Sequence, residues 1–340
     1  MQTKKRKKYI IMVIASFTAT LLTTNIGAQS SWMALHKPAR NLVVPHKLER
    51  EISFLADSIC QGRATGTGGN VAAAAWIARK FQDAGLKKMG ASWGHSFVTE
   101  KGVSGHNIIG MLPGSDKARQ ENYIIIGAHY DHLGTIDGKL YPGADSNASG
   151  VVTMTTLAQM LSMTRSIGKT YGCSIIFAAF DGKEHALAGS HSLWDKISSG
   201  RLADPVTGKK ITKDMISLMV NIDQIGSVMA PLNDEREDYL IMLDGYSGRS
   251  SYRDVLQSCN TMYDIGLDLG FTYYGSANFT KLFYRLSDQK VFVDNRIPSI
   301  LFTSGITMNN NKPRDKASTL NMEVLHKRIY LIYHWLVRTL

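Results

Sequence analysis

The chain has 340 residues, 39 Lys and Arg against 28 Asp and Glu, and 44% hydrophobic residues, enough apolar material for a sizeable core, which excludes disorder as its main state. Its 8 prolines and 30 glycines follow no period, so collagen-like, low-complexity and solenoid architectures are excluded too. Of the formal charge of +11, five units come from Lys4, Lys5, Arg6, Lys7 and Lys8; subtracting those five leaves +6, a modest solvated surface and no nucleic-acid stripe.

That basic cluster precedes a charge-free, mostly apolar run from Ile10 to Leu22 and a small, polar stretch ending at Ala28, the three parts of a secretory signal in order. Residues 1–28 are therefore expected to be a signal peptide, and the mature protein to be exported, periplasmic or extracellular. An uncleaved anchor is the rival reading, but the run is short against the roughly 20 residues a span needs. No stable membrane insertion is expected once the signal is cut.

Further along, Lys47 to Ser58 has the helical spacing of Leu48, Ile52 and Leu55, Gly62 to Gly69 reads as a loop, and Val71 to Ala84 is a helix ended by Gly85. His106 to Leu112 and Tyr123 to Gly127 are apolar runs bounded by turn residues, the pattern of buried strands. A helix follows over Gly150 to Met163, a strand over Cys173 to Phe180 and a helix over Gly189 to Ser198. Strands are expected at Ile216 to Ile222, Tyr239 to Leu243 and Ile300 to Thr303, with helices at Tyr252 to Leu269 and Val324 to Leu340. This alternation predicts an α/β fold with a mostly parallel central sheet and helices on both faces, and no linker divides residues 29–340, which form one domain. Cys60, Cys173 and Cys259 are too few and too scattered for a disulfide framework.

Such sheets bind ligands at the carboxyl ends of their strands. His129 and Asp131 follow one strand, Asp181 to His185 another and Asp223 a third, while Asp145 lies in a Gly-rich loop and Asp315 in a late one. The two-residue spacing of His129 and Asp131 suits a metal-binding imidazole whose ring is oriented by an acid. Separate strand-end acids would repel one another if left ionised, and bound cations would relieve that. His132, His185 and His191 are read as supporting or surface histidines, Arg63 and Asp181 as structural hydrogen-bonders, and Tyr273 with Tyr274 as an aromatic wall or core pair. The sequons at Asn147 and Asn278 are read as chance.

Gly127-Ala128-His129-Tyr130-Asp131-His132-Leu133-Gly134, Gly143-Ala144-Asp145-Ser146-Asn147-Ala148-Ser149-Gly150, Phe180-Asp181-Gly182-Lys183-Glu184, Asn221-Ile222-Asp223 and Ser287-Asp288 stand in the order of successive motifs. Together with Gln61 to Gly68 they resemble the zinc aminopeptidase and glutaminyl cyclase-like metallopeptidase family of clan MH, family twenty-eight, from about residue 48 to the C-terminus. The resemblance implies a zinc site with His129, Asp145 and Asp223 on one metal and Asp145 bridging to a second that also takes Glu184. A fifth ligand, a His in that family, falls on Asn311, and the catalytic Glu falls on Lys183. An alternative register, with Glu184 as base and His185 as ligand, fails on spacing.

The implied ligand set is thus His129, Asp145, Glu184, Asp223 and Asn311, with Lys183 acting at most electrostatically and Asp131 orienting His129. The implied cofactor is zinc, one ion rather than two, or none, and the implied partners are peptide or protein N-termini. Three functions remain open at this point: a zinc-dependent aminopeptidase, an inactive relative that binds peptide ends, and a single-zinc cyclase, which also needs the missing Glu.

Overall fold

The apolar runs become a sheet because their side chains alternate between two hydrophobic layers. A computed structural model describes residues 37–340 except 170, 231, 233–235, 245–250 and 274; the expected signal peptide and Tyr274 lie outside the described residues. The strands are β1 (Lys87–Lys88), β2 (Gly94–Val98), β3 (Ser104–Leu112), β4 (Tyr123–His129), β5 (Gly134–Ile136), β6 (Lys139–Tyr141), β7 (Ser174–Phe180), β8 (Ile216–Ile222), β9 (Tyr239–Asp244), β10 (Asp268–Gly270) and β11 (Ser299–Thr303). The helices are α1 (Pro45–Leu55), α2 (Gly68–Asp83), α3 (Gly150–Ser166), α4 (Ala188–Ser198), α5 (Ser251–Met262), α6 (Ala277–Tyr284), α7 (Gln289–Asp294) and α8 (Met322–Thr339).

Nine strands form one sheet in the order β1-β3-β7-β4-β8-β11-β9-β10, with β2 also on β3; β5 and β6 form a separate hairpin. The four middle strands, β7, β4, β8 and β11, run parallel, while β3 joins β7 and β9 joins β11 antiparallel. On β7, Ile175, Phe177 and Ala179 face a layer built with α1, α2, α3 and α8. Ile176, Ala178 and Phe180 face the other layer, built with α4 and α7. That two-residue alternation with both faces covered is why these strands read as unbroken apolar runs. Truncating a fully buried residue such as Ile125 or Phe177 to Ala is expected to cost about 2–5 kcal/mol.

The expected helix over Tyr252 to Leu269 stops at Met262. Asp264 and Gly266 take positive φ values of 51° and 69°, which turn the chain into β10. No helix among the described residues is long and apolar enough to cross a membrane.

Candidate functional site

β4, β7 and β8 end side by side, and their carboxyl ends place the first group of polar residues. His129 closes β4; its Nδ1 donates to the main-chain oxygen of Asp131 at 3.1 Å, which points Nε2 at Asp223 Oδ1, 3.2 Å away just beyond β8. Asp131 does more than face the imidazole, whose Nδ1 lies 3.7 Å from its Oδ1. Its two oxygens accept the main-chain N–H groups of Lys183 and Glu184, at 3.0 and 3.1 Å, and so tie the loop after β7 to the end of β4.

Held in this way, Lys183 turns its ammonium into the centre. Nζ donates to Glu184 Oε1 at 3.1 Å, and the two side chains are 17% and 24% exposed. Burial alone would lower the Lys183 pKa, but the charges of Asp223, Glu184 and Asp131 outweigh it and hold the amine above its ordinary value. This setting favours the charged amine over the neutral one. Burial likewise opposes ionisation of His129 and Asp223, and again the mutual charges win: His129 is raised and Asp223 held well below the usual carboxylate range. Asp288, completely buried, is pushed up to about 6 by burial, with the His129 charge pulling the other way.

Asp145 does not join this group. The left-handed turn at Gly143, φ 59°, allows the chain to pass against the His132 ring, where a β-carbon on Gly143 would sit 2.5 Å from it. The following residues bond to the chain on either side of Asp223. Asp145 Oδ1 accepts the Gly226 N–H at 2.7 Å and the Ser149 hydroxyl at 3.1 Å, while Oδ2 is buried without a hydrogen-bond partner. The amides of Asp145 and Ser146 donate to the two oxygens of Asp315, at 2.8 and 3.1 Å. Burial, reinforced by the Asp315 charge, pushes Asp145 up to about 7. Asn147 is a clamp, its amide bonded to Ile222, Gly150 and Gln224, so its sequon is not available for glycosylation.

Arg63 is fully buried and donates to the carbonyls of Leu55, Tyr130, Pro142 and Gly143, and Asp181 accepts from Thr65, Asn70, His106 and Gly182; both are structural, as expected. Gln289 is likewise structural, accepting from Asn221 Nδ2 at 2.7 Å.

The donor set for zinc is accordingly not assembled. Among the described residues no three His, Cys, Asp or Glu side chains stand close enough together to hold an ion. Of the implied five, His129 and Asp223 meet directly, Glu184 is engaged by the Lys183 ammonium, and Asp145 is bound to Gly226 and Ser149. Asn311 stands exposed on the cavity rim with φ 54°, offering an amide where the resemblance implies an imidazole. The residues present do not fit the metal pair, and an ammonium stands among the acids where a cation would be needed.

Beside the centre is a cavity of about 220 Å³. Lys183, Asp223 and Asn311 form part of its polar lining, and Leu243, Tyr273, Phe283 and Ile306 part of its apolar wall. Sequence reasoning reached Tyr273 but missed the rest of that wall. Leu243 and Phe283 belong to apolar segments whose only signal is hydrophobicity, and nothing in the sequence distinguishes a cavity wall from core.

A family model described as peptidase family M28 matches residues 107–336. Among solved structures, LapB from Legionella pneumophila is 19% identical, covering 89% of this chain and 74% of its own, with a TM-score of 0.65. BSAP, a zinc aminopeptidase from Bacillus subtilis, is 15% identical over 87% of this chain and 95% of its own, at 0.61. The glutaminyl cyclase of Fimbriiglobus ruber is 16% identical over 87% and 95%, at 0.64. At these identities the likeness is one of fold.

Proposed function

Because the chain belongs to peptidase family M28, we propose that it binds the amino-terminal residue of a peptide at the strand ends without cleaving it. The carrying observation is the Lys183 ammonium, bonded to Glu184 and held protonated by Asp223 and its neighbours. A protonated amine cannot take a proton from water, so the position that should supply the general base supplies a cation instead. Cyclisation of an amino-terminal glutamine would lack the same base.

Recognition does not need that base. The carboxylates of Asp223, on the cavity lining, and of the exposed Glu184 have lone pairs beyond those their partners His129 and Lys183 use, and can accept hydrogen bonds from the ammonium of a peptide end. The wall of Leu243, Tyr273, Phe283 and Ile306 suits an apolar first side chain. Export through residues 1–28 belongs to the same proposal, and mass spectrometry of the secreted protein should find its first residue at Gln29.

A zinc aminopeptidase is the second reading. It is favoured by the 3.2 Å between His129 Nε2 and Asp223 Oδ1, close to the roughly 3.3 Å separating two donors on a tetrahedral zinc. Calorimetry with Leu-Gly-Gly and its N-acetylated form, beside a panel of aminoacyl reporters with and without added zinc, separates the two. Binding that acetylation weakens tenfold or more, with no reporter cleaved, is the expected result. Zinc-dependent turnover that His129→Ala abolishes would overturn it in favour of the peptidase.

A further inference from the structure

Among the described residues β2 is an open edge of the sheet, beyond β3. The amide of Ile109 donates to the Trp93 carbonyl at 2.9 Å and that of Thr99 to the Val103 carbonyl at 2.8 Å, so residues 93, 95, 97 and 99 bond toward β3. By that alternation the N–H and C=O groups of Ser96 and Val98 point outward, and they have no partner among the described residues. The outward Gly94 carbonyl is taken by the Ser92 hydroxyl at 2.8 Å, which closes that end of the edge.

A groove of about 520 Å³ runs along this edge, lined by Ser96, Phe97 and Val98 of β2, His191 and Lys196 of α4, and His185 and Ala186 of the loop after β7. Lys196 lies close enough to Arg201 and to His95 for its charge to act on both, and neither cation makes an ion pair among the described residues. Glu100 and Asp195 also line the groove.

We propose that this groove receives an extended stretch of polypeptide as an added strand on β2, with an acidic side chain against Lys196 and Arg201. Main-chain hydrogen bonds to Ser96 and Val98 supply the pairing, and alternate side chains of the added strand face α4. The inference rests on the β2 edge and the groove beside it and holds whether or not a peptide's amino end reaches Lys183.

The probe is an N-acetylated, fluorescein-tagged heptapeptide of alternating valine and glutamate, followed by anisotropy. Acetylation keeps it from the amine-binding centre, so failure of that reading leaves this result unaffected. Saturable binding is expected, weakened about tenfold by Lys196→Glu and about tenfold by Val98→Pro, which removes an outward amide and leaves the β3 pairing intact. On the unaltered protein, the same peptide with N-methylated valines should lose affinity by a similar factor. Equal affinity for the methylated peptide would overturn the proposal. So would binding unchanged in Lys196→Glu, or light scattering that finds a dimer of this chain paired through β2 and closed to the probe.

Discussion

Two neighbouring groups of acids meet the ends of the same sheet and come to opposite ends chemically. Asp223 and Glu184 face side-chain cations, His129 and Lys183, at the border of a cavity. Asp145 and Asp315 face main-chain amides and a hydroxyl inside a closed turn. A carboxylate answered by amides of its own fold is part of the scaffold. One answered by another side chain that could move is part of a site. The sequence holds both kinds as the same letter, and only the donors around them tell them apart.

The sharpest way to break the closed turn is through Arg63, whose four carbonyl acceptors would all lose their donor. Arg63→Leu is expected to destabilise the fold by about 4–5 kcal/mol, read from urea melts. On the open side, Lys183→Met leaves Glu184 without its ion-pair partner and Asp223 with His129 alone. A loss of about 2 kcal/mol at pH 7 is expected by the same measurement.

The pH dependences should then run in opposite directions. Asp223 is held low, so it contributes stability above the ordinary carboxylate pKa that is lost as pH falls through its depressed value, and Asp223→Asn should flatten the acid limb below about pH 4. Asp145 is raised to about 7, so it is tolerated protonated and becomes a burden as pH rises from about 4 to 7. Asp145→Asn should therefore match wild type near pH 4 and exceed it at pH 8, by on the order of 1–2 kcal/mol. Thermal melts across that range would refute the contrast if the two variants moved the same way. Smallest of all, exposed Asn311→Ala should cost about 0.5–1 kcal/mol, because the left-handed backbone there suits Asn better than Ala.

The middle strands were legible because burial on both faces leaves an unbroken apolar run, and with them came the positions of His129, Asp131, Glu184 and Asp223 at their ends. The orientation of Asp145 was not legible. It depends on a left-handed turn at Gly143 and on Asp315, which lies 170 residues away in the chain. Nor were β1, β2, β5, β6 and β10, each short and either exposed or only partly buried, and so without a hydrophobic signal of their own. The early end of α5 escaped for a related reason, since the positive φ at Asp264 is a conformation that residue type permits and does not announce.

Asp131 grips residues 183 and 184 by their main-chain amides, so the path of that loop is indifferent to which side chain position 183 carries. Lysine and glutamate codons differ by a single base. A point mutation could therefore exchange one for the other without the loop having to be rebuilt.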